Sequence, residues 1–256
     1  MVQTADAAPP QSSRDVGTGR AELICPPEAV FDAAAVARDL DAAISGLTEE
    51  RAIRREAVRV IGAARARGNA AITEAFADAP FAAREATRAW SWLTDAVVTA
   101  AWAIVRDRLH PLPNPTAGER FAIIAVGGYG RGEMAPFSDI DLLFLTPWKL
   151  GPATESMIES MLYILWDLRL KVGHASRSTR DCLNLARDDQ TIRTALLEMR
   201  LIAGDAALAQ DLQDRLRNEL FSRTASNFIE SKLAERAERH RKQGGQRYVV
   251  EPNVKE

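Results

Sequence analysis

The sequence predicts an α/β (α+β) fold, a small mixed sheet with helical regions before and after it. Two observations carry this reading. Phe121–Val126 and Asp139–Leu145 are short apolar runs, stopped by glycine and by Pro147 respectively, as buried strands are. Most of the remaining chain is rich in helix formers with apolar residues at helical spacing.

In chain order, residues 1–22 are rich in Ala, Pro, Ser and Gly without an apolar period, and read as a disordered tail. Residues 23–115 read as an N-terminal helical region. Within it, Ala and Arg dominate from Phe31 to about Ala77, and Thr48 followed by Glu49 and Glu50 marks a helix start. Pro80 separates a further helix, Arg84 to Leu109, in which Trp90, Leu93, Val97, Val98, Ala101 and Ile104 recur on one face; the prolines at 111, 113 and 115 end it. Residues 116–182 form the predicted core: the two apolar strands, the Gly-rich connection GGYGRGEMAPFS between them, a helix from about Pro152 to Leu165, and a third strand at Asp167–Val172, where apolar and polar residues alternate. Residues 183–256 read as helical, with breaks near Asp188, Gly204 and Ser222. The chain leaves a helix at Gly244-Gly245 and enters the extended segment YVVEPNVKE, where a domain rarely stops, so a continuation beyond Glu256 is expected.

Composition narrows the function. Thirty-three Lys and Arg against thirty-five Asp and Glu leave a formal net charge of -2, which argues against a bulk electrostatic grip on nucleic acid or an anionic membrane. Cys25 and Cys182 are distant and form no CxxC, and the histidines at 110, 174 and 240 form no ligand pair, which argues against a cysteine or histidine zinc site. With no membrane-length apolar run and no basic-then-apolar leader, the expectation is a cytoplasmic protein.

The chemistry concentrates between Gly127 and Leu145. Asp139 and Asp141 are two apart on a predicted strand, so both project from one face. Carboxylates that close repel unless a cation joins them or a pKa rises. Oxygen ligands suit Mg2+, which binds one or two carboxylates together with substrate phosphates. Gly127 and Gly128, twelve residues upstream, let a triphosphate approach the main chain, and Arg131 is placed to pair with a phosphate. This is neither a P-loop nor a dinucleotide fingerprint. The combination points to metal-dependent phosphoryl or nucleotidyl transfer.

GG followed at this spacing by SDIDL resembles the polymerase-β-like nucleotidyltransferase superfamily. The strings AVGGYGRGEMAPFSDIDLLFL, WDLRLKVGHASRS, LLEMRLIAGD and RYVVEPNVKE are similar to the bifunctional uridylyltransferase/uridylyl-removing enzymes of bacterial nitrogen control, from about residue 120 to the last residue. The resemblance implies Mg2+-dependent transfer of UMP from UTP to a tyrosine of the signalling protein PII. It implies metal ligands at Asp139 and Asp141, and phosphates near Gly127 and Gly128. A third acid is usual in the superfamily; Asp167, opening DLRLKVG, is the candidate, with Glu198 as the alternative. Gly128 stands where many superfamily members have serine, which leaves one phosphate contact to backbone or to Ser138. The family's uridylyl-removing phosphohydrolase and ligand-sensing domains would lie beyond Glu256, and no His-Asp dyad occurs in the chain.

Several residues have plainer readings. Trp90, Trp92 and Trp102 are expected in the core. Asp167 is as well explained by a cap or an ion pair with Arg169 or Arg131. Lys171, His174 and Arg177 lie on or near the third strand, within possible reach of nucleotide, but none stands out alone. A nucleotidyltransferase with another acceptor, such as glutamine synthetase or a small molecule, and a non-catalytic nucleotide-binding fragment are the alternative functions.

Overall fold

A computed structural model describes residues 23–112, 117–148 and 150–242. The expected N-terminal tail, the prolines at 113 and 115, and the segment from Gly244 onward lie outside the described residues.

The fold is mixed α/β. Four helices come first: α1 (Pro27–Val30), α2 (Ala33–Ile44), α3 (Glu50–Asp78) and α4 (Ala83–Ile104), the last running into a π-helical turn at Val105–Leu109. Asp32 caps α2 by accepting the Ala35 N–H at 2.9 Å. The core then follows as β1 (Ala122–Ala125), a single helical turn α5 (Gly127–Gly130), β2 (Ile140–Thr146), α6 (Pro152–Asp167) and β3 (Val172–Ser178). After it come α7 (Thr179–Asp188), α8 (Gln190–Leu197), β4 (Arg200–Gly204), α9 (Ala206–Arg215), a π-helical turn at Leu216–Phe221, and α10 (Ser222–Lys242), which is kinked at Thr224.

Among the described residues the strands form one sheet of order β3-β2-β1-β4. β1 is antiparallel to both β2 and β4, whereas β3 is parallel to β2. The parallel pair needs a crossover, and α6 provides it. Period-two alternation divides β2 between two cores. Ile140, Leu142 and Phe144 pack with β1 residues Ile123 and Ala125 against α3, α4 and α6. Leu143 and Leu145 face the other way, onto α7, α8 and α9, with Ala122 and Ile124. Trp102 is in the first core, its ring 5.0 Å from that of Phe121.

Two expectations about secondary structure are corrected. The third strand is not Asp167–Val172. Helix α6 continues through Asp167, Arg169 takes a left-handed backbone (φ 59°), and the strand begins only at Val172. The alternation of Asp167–Val172 therefore belongs to a helix end and a turn. The region after Thr179 is not all helical either. Residues 200–204 form the edge strand β4, which the N–H of Asp205 extends by donating to the Phe121 carbonyl at 2.8 Å.

Candidate active site

Asp139 and Asp141 lie just before and within the start of β2, and Asp141 projects from the sheet face that is core from Leu143 onward. Both are exposed. Burial, and then the charge of Asp139, push the Asp141 carboxyl above the usual carboxylate range. The Asp141 carbonyl accepts the Val126 N–H at 3.1 Å, but its carboxylate makes no hydrogen bond or ion pair with a described residue.

Glycines frame this carboxylate on both sides. Gly127, on the β1 side, has a left-handed backbone (φ 59°) that a side chain would strain, and a Cβ there would stand 3.7 Å from Asp141 Oδ2. Gly173, on the β3 side, is the register partner of Asp141, and a Cβ there would lie 2.4 Å from Asp141 Oδ1. The carboxylate therefore keeps its orientation only because β3 carries no side chain at this point. A cleft of about 300 Å³ opens here between the sheet and α8, lined by Gly127, Asp141, Gly173, Arg177, Thr191 and Ile192 among others.

The glycine turn is held from behind. Gly130 packs so tightly against Glu198 that a Cβ would sit 1.9 Å from the Glu198 carbonyl oxygen. Arg200, on β4, donates to the carbonyls of Gly130 (3.3 Å) and Tyr129 (3.2 Å) and makes a two-pronged pair with Asp95 of α4 (2.6 and 3.1 Å). Its guanidinium also lies 5.5 Å from the Tyr129 ring centroid. Tyr129 is buried; that burial and the Asp95 charge hold its hydroxyl protonated. Neither Asp95 nor Arg200 nor Gly173 is among the residues singled out from sequence. The glycine interrupting a strand in KVGHAS is a signal for close approach; the Asp95–Arg200 pair, a hundred residues apart, leaves none.

The predicted site residues fall into two groups. Gly127, Gly128, Asp139 and Asp141 are placed together. Arg131 hangs beside Gly128, within 3.6 Å of where a Cβ would be, and pairs with Glu198 at 2.7 Å. Asp167 is elsewhere. It closes α6 and pairs with Arg54 of α3 at 3.4 Å, and among the described residues no group of three His, Cys, Asp or Glu side chains is placed to hold one ion. Glu198 caps the C-terminus of α8 and is committed to Arg131. Ser138 lines a different cavity of about 440 Å³ on the other face of the sheet, with Arg65, Trp90 and Phe137. His174 and Arg177 both border the cleft, but the His174 ring turns to the other sheet face, 6.3 Å from the rings of Phe144 and Trp166, while Arg177 shares the face of Asp141.

The donor set fits a hard divalent cation. Two exposed carboxylates from one strand face, with space where Gly127 and Gly173 lack side chains, leave coordination positions for phosphate oxygens and water. Such a set beside a glycine turn is compatible with nucleotidyltransferase chemistry. A family profile described as glutamate-ammonia ligase adenylyltransferase matches residues 22–165, and the chain belongs to that family. It is also similar along its length to bifunctional uridylyltransferase/uridylyl-removing enzymes. That of Cereibacter sphaeroides is 54% identical over all of this chain and 27% of its own length. Those of Ruegeria pomeroyi and Rhodospirillum rubrum are 56% and 41% identical, over 89% and 90% of this chain and 25% of theirs. The chain thus spans about a quarter of the length of the curated relatives it matches. No helix among the described residues is long and apolar enough to cross a membrane.

Proposed function

We propose that this chain transfers UMP from UTP to a tyrosine hydroxyl of PII in the cytoplasm, releasing pyrophosphate. The observation that carries the reading is the Asp141 carboxylate lining an open cleft beside the glycine turn, with Asp139 near enough for its charge to act on it. The acceptor and the nucleotide come from the resemblance to the uridylyltransferases.

Asp139 and Asp141 would hold Mg2+, which when bound offsets triphosphate charge and makes an attacking hydroxyl more acidic. Gly127 and Gly128 let the triphosphate lie against the main chain. Arg131, already beside Gly128, exchanges its contact with Glu198 for a phosphate oxygen. Arg200 and Asp95 keep the turn in place, so little reorganisation is needed when the nucleotide arrives. The acceptor oxygen attacks the α-phosphorus, the bond to the bridging oxygen of pyrophosphate breaks, and the hydroxyl proton leaves to solvent or base.

The direct test is incubation of the chain with α-labelled UTP, Mg2+ and purified PII. Labelled PII that is lost on chelation and in the Asp139→Asn, Asp141→Asn double variant supports the reading. No labelling under conditions where the protein is folded overturns it. The family profile favours a second reading, adenylyl transfer to glutamine synthetase; labelled ATP with that acceptor distinguishes the two.

A further inference from the structure

We infer that Arg177 is the residue that reads the base, donating to the 4-keto oxygen of uracil. This rests on the nucleotide site proposed above and names its specificity.

In the parallel register Asp141 pairs with Gly173, Leu143 with Ala175, and Leu145 with Arg177. All six therefore belong to one face, and Arg177 lies four residues, about 13 Å, along the strand from the carboxylate. The glycine turn is on the β1 side of Asp141 and Arg177 on the β3 side. A nucleotide with its phosphates on the turn directs its base along β3, and the arginine side chain reaches back to meet it. The walls there are apolar, from Leu143, Ala175, Ile192 and Leu196; such a slot suits a planar base and not a polyphosphate.

Arg177 is half-buried, yet its guanidinium has no hydrogen bond or ion pair among the described residues. Two acids close to Arg177 in sequence, Asp181 and Asp189, are engaged at helix starts, and the N–H groups of Ile192 and Thr191, with a smaller part from the Arg177 charge, hold the Asp189 carboxyl below its usual range. Asp189 accepts the N–H groups of Thr191 (2.7 Å) and Ile192 (3.2 Å), and Asp181 accepts the hydroxyl (2.6 Å) and N–H (3.2 Å) of Ser178. A guanidinium with no hydrogen bond or ion pair among the described residues, beside an apolar slot and on the same face as the carboxylates, is poised for a ligand acceptor. Guanidinium only donates. Position 4 of a pyrimidine offers it an acceptor in uracil and a competing amino donor in cytosine.

The test is calorimetric binding of the α,β-methylene analogues of UTP and CTP, with Mg2+, to the wild-type chain, Arg177→Met and Arg177→Lys. The wild type should prefer the UTP analogue by about tenfold. Arg177→Met should lose that preference by weakening only the UTP analogue, and Arg177→Lys should keep part of it. Melting temperature should change by no more than about a degree or two, because the guanidinium makes no hydrogen bond or ion pair among the described residues. If the preference survives in Arg177→Met, or if both analogues weaken equally, the inference is overturned while the nucleotide site stands. If the folded wild type binds neither analogue, the site reading itself fails.

Discussion

The two sides of the glycine turn are built on opposite principles. Behind it, charges are matched: Arg200 meets Asp95 and two carbonyls, and Arg131 meets Glu198. In front, side chains are less engaged: the Asp141 carboxylate and the Arg177 guanidinium make no hydrogen bond or ion pair among the described residues, and apolar walls lie between them. The closed side spends its polar groups on holding shape. The open side keeps its polar groups available, which costs the unliganded fold some stability and leaves binding to recover it.

This contrast can be broken from either side. The largest effect is expected from Asp141→Asn, which should reduce nucleotidyl transfer by about a thousandfold or more. At neutral pH and without Mg2+ the same variant should melt higher than wild type, since a repelled carboxylate has gone; a lower melting temperature would show that Asp141 is structural. The next effect is on the cleft wall. Gly173→Ala inserts a Cβ 2.4 Å from Asp141 Oδ1, and should weaken Mg2+-nucleotide binding by about 10- to 100-fold by turning that carboxylate aside. Binding equal to wild type in a titration would mean that the carboxylate orientation is unimportant.

On the closed side, Asp95→Ala strands Arg200 and should cost about 2–3 kcal/mol in denaturant unfolding. It should also raise KM for the nucleotide as the turn loosens. Unchanged stability would separate the pair from the scaffold. The smallest effect is a pH signature. Hydrogen bonding to Arg120, aided by the Leu208 N–H, holds the Asp205 carboxyl below its usual range. Its contribution is present above the ordinary carboxylate pKa and is lost as pH falls through the lowered one. Asp205→Asn keeps a side-chain oxygen for the Leu208 N–H but loses the charged pair with Arg120, so it should cost under about 1 kcal/mol near neutrality and flatten the acid limb of the stability curve. Asp141 has the opposite sign: its raised pKa disfavours the ionised fold, so its cost appears as pH rises through the carboxylate range.

Local signals made much of this molecule legible. β1 and β2 are apolar runs with clear stops, and the Asp139/Asp141 alternation fixes their shared face. Local pattern does not announce β4, since Glu198-Met199-Arg200-Leu201 is equally acceptable to a helix and only pairing with β1 decides it. WDLRLKV alternates as a strand does, and nothing local announces the left-handed Arg169 just beyond the end of α6. Among Lys171, His174 and Arg177, spacing alone could not choose. The register that puts Gly173 opposite Asp141 turns His174 to one face and Arg177 to the other. The Asp95–Arg200 contact is a product of tertiary packing and has no trace in local pattern.

Asp95 belongs to the helices that precede the sheet, and through Arg200 it reaches the main chain on which a phosphate would rest. A gene fragment starting at Phe121 would still encode both aspartates and all four described strands. It would leave the guanidinium unmated and the glycines free to wander. The upstream bundle thus helps hold the shape of the glycine turn, and a dissection that aims to keep that turn intact should cut ahead of α2.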